Sequence, residues 1–184
     1  MKSKKASEEK IAVYIDGSNL YFSMKTLGSK IDIEKFCNKL GKNTEIVKIN
    51  FYIAPVNRIS NPDGYTKQQK FFDVLRKINK LNIILGRMEK RKRDRKIYYV
   101  EKASDINLAL DLVLDAQKGI YDKAFLVSND GDFSTAVLSA VSFEKKIIYI
   151  AVGNKKSISH HLKKVASSTI NIDKEFLSNL KLKE

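Results

Sequence analysis

A single cysteine in 184 residues, Cys37, excludes an internal disulfide framework and fits a reducing cytoplasm. It recurs with Ile33, Phe36 and Leu40 at helical spacing, so it reads as an inert core thiol. No apolar run approaches the ~18 residues of a membrane span, which excludes a membrane-crossing segment. The basic N-terminus lacks the apolar stretch of a secretion signal and reads as a short disordered tail over residues 1–9. Internal repeats, linker-like tracts and low-complexity segments are missing as well, leaving residues 10–184 as one domain. There is no Walker phosphate loop, no GxGxxG turn and no Asp-x-Asp pair after the first apolar run, so a small-molecule phosphohydrolase has no support. Leu20 stands where an integrin-type metal motif would need a second serine.

What the chain has in excess is positive charge. Its net charge is +14 and its pI about 9.7, a balance that favours phosphate backbones through counterion release. A lysine-rich composition alone would raise the pI without any ligand. Clustering argues against that: residues 87–96 hold seven basic side chains and two acids. These are Arg87, Lys90, Arg91, Lys92, Arg93, Arg95 and Lys96, and Tyr98 and Tyr99 follow. Lys155, Lys156, Lys163 and Lys164 make a second patch. Against the reading of a solvated hairpin tip, the first cluster reads as an arm that grips phosphates and guides single-stranded nucleic acid, with a tyrosine to stack a base. His160 and His161, as helix neighbours, point to different faces and read as surface residues.

Short apolar runs alternate with amphipathic stretches, the pattern of an α/β fold with a parallel sheet. Strands are expected over 11–15, 45–54, 82–88, 123–127 and 146–152, with a short extended piece at 169–172. Residues 89–96 should form the charged tip of a hairpin that returns through 97–100. Helices are expected to begin at the Asp16–Asn19 turn and over 31–40 (closed by Gly41), 65–80, 104–118, 132–143, 158–166 and 173–180. Residues 56–64, with Asn61-Pro62-Asp63-Gly64, read as loop, and Phe71, Phe72, Leu75 and Ile78 as an inward helical face.

One stretch runs against the basic background. From Glu101 to Thr135 there are seven acidic residues and three basic ones. In open α/β sheets ligands sit beyond the carboxyl ends of the strands, near the point where strand order reverses. Asp16 follows the first strand, Asp105 opens a helix, and Asp130 and Asp132 follow the strand ending at Val127. If the two strands are neighbours, these four carboxylates converge. Their repulsion would raise their pKa values, and a hard divalent cation such as Mg²⁺ or Mn²⁺ would relieve it. Asn19 could orient a water or a carboxylate, and Ser128 could bond a carboxylate or a phosphate. Singly, Asp105 and Asp132 could be helix caps and Asp16-Gly17 a plain turn; jointly they read as a site. Asp111 and Asp115, with Asn107, read as the polar stripe of an apolar helix, and Asp115 and Asp122 as surface residues.

Three motifs together resemble the NYN domain, a branch of the PIN-like ribonuclease superfamily, and its bacterial LabA-like members in particular. They are Ile15-Asp16-Gly17-Ser18-Asn19-Leu20-Tyr21, Lys102-Ala103-Ser104-Asp105 running into Leu108-Ala109-Leu110-Asp111, and Ser128-Asn129-Asp130-Gly131-Asp132-Phe133. Ser159-His160-His161-Leu162 follows in the same order. Ala166-Ser167 departs from the family, whose members often carry an aspartate after that alanine. The resemblance implies a PIN-like Rossmannoid α/β/α domain with a mainly parallel sheet, here with a basic β-hairpin. It implies Mg²⁺ or Mn²⁺ held by Asp16, Asp105, Asp130 and Asp132, with Asn19 beside them and Asp111, Lys102 and Ser128 in support. The implied activity is a metal-dependent endoribonuclease acting on single-stranded or structured RNA in the cytoplasm. The alternative is an RNA-binding regulatory module that keeps the fold without cutting. Neither membrane association nor an oligomer is indicated.

Overall fold

The apolar runs pair side by side into one six-stranded sheet in which every pairing is parallel. The computed structural model describes residues 9–42, 44–94, 96–154 and 157–178. Most of the tail expected over 1–9 therefore lies outside the described residues, and the contacts expected at Arg95, Lys155 and Lys156 do too, as do the side chains of Arg93 and Lys96. The strands are β1 (Ile11–Asp16), β2 (Ile46–Ile53), β3 (Leu81–Leu85), β6 (Lys123–Val127), β7 (Lys146–Val152) and β8 (Ser168–Ile172). Their order across the sheet is β3-β2-β1-β6-β7-β8. The helices are α1 (Gly17–Leu27), α2 (Ile33–Gly41), α3 (Pro62–Leu75), α4 (Ser104–Gln117), α5 (Ser134–Ser142), α6 (His160–Val165) and α7 (Lys174–Ser178). None of the described helices is long and apolar enough to cross a membrane.

Three layers follow from the period of the strands. Ile11, Val13 and Ile15 pack on one side with Leu20 and Met24 of α1, Phe36 and Cys37 of α2 and Phe72 of α3. Ala12 and Tyr14 face the other side, with Leu108 and Leu112 of α4, Val137 of α5 and Leu162 of α6. Burial pushes the Cys37 thiol up to about 12, in keeping with an inert packing role. Chain order reverses between β1 and β6, which opens a crevice at their carboxyl ends.

The largest departure from the expected elements is the hairpin. Its basic residues form the strand β4 (Arg87–Arg93), paired antiparallel with β5 (Lys96–Lys102), rather than the tip. The run expected over 82–88 breaks at Gly86, whose N–H donates to Ile53 O at 3.0 Å. A Cβ there would sit 2.2 Å from Ser104 Oγ and 2.7 Å from Lys102 O, so only glycine lets the chain leave the sheet at this point. Residues 61–64 begin α3: the Asn61 side chain accepts from Gly64 N–H at 2.9 Å, and Pro62 occupies the first turn, where its missing N–H costs nothing. The helix ends at Leu75, and Phe71 stays partly exposed instead of facing inward.

Candidate functional site

The acidic residues reach one edge of the sheet by three routes. Asp16, 7% exposed, is the last residue of β1 and caps α1, accepting from Asn19 N–H at 3.0 Å. The turn is tight: a Cβ on Gly17 would lie 2.4 Å from Phe51 Cε1 and 2.8 Å from Tyr52 O. Five strands later in sequence but adjacent in space, the loop after β6 carries Ser128 to Asp130. Ser128 Oγ donates to Asp16 Oδ2 at 2.9 Å and accepts from Asp130 N–H at 3.1 Å. Asp130 in turn accepts from Asp132 N–H at 2.9 Å, closing a 3-10 turn over Gly131–Phe133. Ser128 thus links the first acid to the third.

Asp105 arrives on the first turn of α4. The preceding Ala103 has φ 74° and supplies no side-chain cap, and the Asp105 carboxylate accepts no hydrogen bond among the described residues. A capping role for it is therefore absent. Burial raises the Asp105 carboxyl first, and the charges of Glu101, Asp130 and Asp132 raise it further. Asp16 is pushed up to about 6, mainly by burial, with Asp105 and Glu101 adding and the bonds from Asn19 and Ser128 opposing. Asp105 thus acts on Asp16 and is acted on by Asp130 and Asp132 across the crevice.

Glu101 is a fifth acid, which sequence reasoning passed over although it begins the acidic stretch. It lies near the end of β5, where Ser18 Oγ donates to its Oε2 at 2.7 Å and Ala54 N–H to its Oε1 at 3.1 Å. Its carboxylate ties the root of the hairpin to α1 and to the end of β2. The signal was its place on a strand two residues before the Ala103 turn.

Other expectations resolve differently. Asn19 Oδ1 accepts from Asn129 N–H at 3.0 Å, so this residue fastens α1 to the β6 loop. Asn129, also unforeseen, donates to Val152 O at 2.6 Å and accepts from Tyr149 OH at 2.8 Å. Asp111 accepts from Tyr52 OH at 2.7 Å and Asn50 Nδ2 at 3.2 Å, under the sheet beside β2. Asp115 is a correction: it is buried, 8% exposed, against Tyr14 OH at 2.6 Å and Lys48 Nζ at 2.5 Å, because α4 turns this side of its polar stripe onto the sheet. Asp122 is exposed as expected and accepts from Lys10 N–H at 2.9 Å. Lys102 ends β5 and is exposed. His161, exposed like His160, lies over Gly131 and lines a shallow groove with Asp132, Ser134 and Thr135.

Among the described residues, no three His, Cys, Asp or Glu side chains are gathered tightly enough to form a metal cage. The donor set still suits one kind of ion. Hard carboxylate oxygens brought to one edge of the sheet fit Mg²⁺ or Mn²⁺, and Mg²⁺ keeps several waters and is bound through one or two carboxylates together with substrate phosphates.

Burial of Asp16 has a measurable consequence. Its folded pKa of about 6 lies above the ordinary carboxylate value, so the native state binds the extra proton between about pH 4 and 6. The metal-free protein is therefore favoured below about pH 4, and that advantage is lost as pH rises through about 6. Asp16→Asn keeps the cap and removes the buried charge. In EDTA it should melt above the wild type at pH 7 by roughly 2 kcal/mol of stability, the difference closing near pH 4. Melting curves of both proteins from pH 4 to 8 test this, and a gap that does not change with pH contradicts it.

The NYN domain family model matches residues 10–173. Among solved structures, a Vibrio parahaemolyticus protein of unknown function is similar, with a TM-score of 0.73 and 26% sequence identity, over 94% of this chain and 98% of that chain. No curated protein matches.

Proposed function

Because the chain belongs to the NYN domain family, within the PIN-like superfamily, we propose that it is a metal-dependent endoribonuclease working at the crevice between β1 and β6. The observation that carries this reading is electrostatic. The charges of Asp130 and Asp132 on the β6 loop raise the Asp105 carboxyl of α4, and Asp105 helps raise Asp16 of β1, at the strand edge where an α/β sheet binds ligands. Such an arrangement is unfavourable unless a cation is present. Asp16, Asp105, Asp130 and Asp132 would hold Mg²⁺ or Mn²⁺. When bound, an ion of this kind polarises a phosphoryl oxygen and lowers the pKa of a coordinated water.

The chain's own residues have separable tasks. Ser128 bonds both Asp16 and the Asp130 N–H, and Asn19 and Asn129 fasten α1 to the β6 loop. Glu101 sets the root of the basic hairpin beside the crevice, so the arm attracts the RNA backbone towards the acids while they repel it.

Labelled single-stranded RNA incubated with the protein and Mg²⁺ or Mn²⁺ should yield shortened products, and EDTA should prevent them. Products that persist in EDTA would contradict the proposal. RNA that binds but stays full length with both ions would make the protein a regulatory RNA-binding module instead.

A further inference from the structure

In a chain that is 30% charged, with a net charge of +14, one helical face shows no exposed charge. It is formed by α4 and α5, which pack side by side over one side of the sheet. Ile106, Leu110 and Leu114 recur every four residues along α4 and are 64%, 54% and 41% exposed. Leu138 of α5 is 54% exposed. Leu110 sits between the buried Leu108 and Leu112, and Leu138 between the buried Ala136 and Ala140. Two residues are about 200° of helix, so both leucines point away from the sheet. The other exposed positions within 106–117 and 134–142 are Gln117, Thr135 and Ser142, all uncharged. The two acids inside this part of α4 are turned away: Asp111 bonds Tyr52 and Asn50, and Asp115 bonds Tyr14 and Lys48.

Charge and size decide what such a face can hold. Nucleic acid needs cations along its backbone and finds none here. An acidic protein would be drawn to the basic surfaces instead. A second copy of the chain meets the opposite conditions. Two molecules of charge +14 repel over most of their surface and approach at least cost where both lack cations. A two-fold axis also sets the same apolar patch against itself. With 14 residues in α4 and nine in α5, the face is about 20 Å long and about 20 Å wide. Two such faces come to about 800 Å² before side-chain relief is counted, near the ~1,000 Å² that marks a specific interface.

We propose that the chain forms a symmetric homodimer through the outer face of α4 and α5, with Ile106, Leu110 and Leu114 at its centre. Side chains four residues apart form a ridge of the kind that fits the groove of a second helix. Leu110, the middle of the ridge, lies nearest the symmetry axis. Asp105 directly precedes Ile106, so the interface begins within one turn of the candidate site. A leucine-rich helix is apolar all round in the sequence. Only the burial of Leu108 and Leu112 shows which leucines are left for a partner.

Sedimentation equilibrium of the full chain, freed of RNA and held in EDTA, tests this. With rising concentration the mass should approach twice the 21.0 kDa of one chain. Leu110→Lys puts a cation at the centre of both faces and should raise the dissociation constant about a hundredfold. Ile59→Lys, at a turn residue 93% exposed, should stay within about threefold. Raising the salt from about 0.1 M to about 0.5 M should tighten the dimer, because screening removes repulsion between like charges. Copies held together by shared RNA would separate instead. Leu110→Cys should be joined to a second copy by a short bismaleimide and Ile59→Cys should not, since the chain's own Cys37 is buried. That cross-link reads the interface even if the lysine variant proves unstable. A wild type that keeps one chain's mass at its highest soluble concentration overturns the proposal. So does a dimer that Leu110→Lys leaves intact, that salt dissociates, or that Leu110→Cys fails to cross-link.

Discussion

Asp130→Asn is expected to lower metal-dependent RNA cleavage on the order of a thousandfold, the scale on which removal of one group stabilising a transition state acts. The substitution isolates charge. Asp130 Oδ1 accepts from Asp132 N–H, and asparagine retains that oxygen and caps about as well as aspartate. The Asp130 N–H bond to Ser128 Oγ belongs to the backbone and also survives. What disappears is a negative charge that acts on Asp105 across the crevice. RNA binding in EDTA should therefore be kept or slightly strengthened, since an acid near the phosphates is gone, and the loss should fall on kcat. Single-turnover cleavage with Mn²⁺ measures it. Activity within tenfold of the wild type would mean that these carboxylates do not act on the scissile phosphate.

The largest effect on stability should come from Asp115→Ala. Tyr14 is fully buried and donates to Asp115, and burial, with Asp115 beside it, holds the phenol far above its ordinary pKa and therefore protonated. Lys48 bonds the same carboxylate oxygen from a mostly buried position. Alanine leaves an ammonium without its counter-charge and a buried hydroxyl without an acceptor. That should cost about 3 kcal/mol, or roughly 6 to 12 °C in Tm for a chain of this length. Asp115→Asn keeps an acceptor for Tyr14 and should cost less. Urea unfolding monitored by circular dichroism reads both. A loss below about 1 kcal/mol would show that Lys48 swings out to water and carries no buried charge. Cleavage well below the melting point should change little, which distinguishes Asp115 from Asp130.

These two aspartates show where sequence reading works. Asp130 comes three residues after the end of a short, mainly apolar strand, and the end of such a strand is where ligands gather, so its place was legible from local pattern. Asp16 was legible in the same way. Asp115 sits in an amphipathic helix whose polar stripe looks solvated. Its burial depends on Tyr14 and Lys48, 101 and 67 residues away in sequence, and no local pattern announces them. Glu101 was missed for a related reason: its partners Ser18 and Ala54 come from other elements. The hairpin strands were misjudged because lysine and arginine have weak strand preference. Cross-strand pairing and the exit at Gly86 override that preference.

The sequence by itself determined the parallel α/β layering, the basic surface and the acids at the ends of β1 and β6. Each follows from periodicity, composition or the position of a residue relative to one strand. Tertiary structure alone decided the reversal of strand order that makes Asp16 and Asp130 neighbours, the tie from Glu101 to α1, and the pairing of the basic strand with β5. These depend on contacts between residues far apart in the chain, whose geometry is set only when whole layers pack against one another.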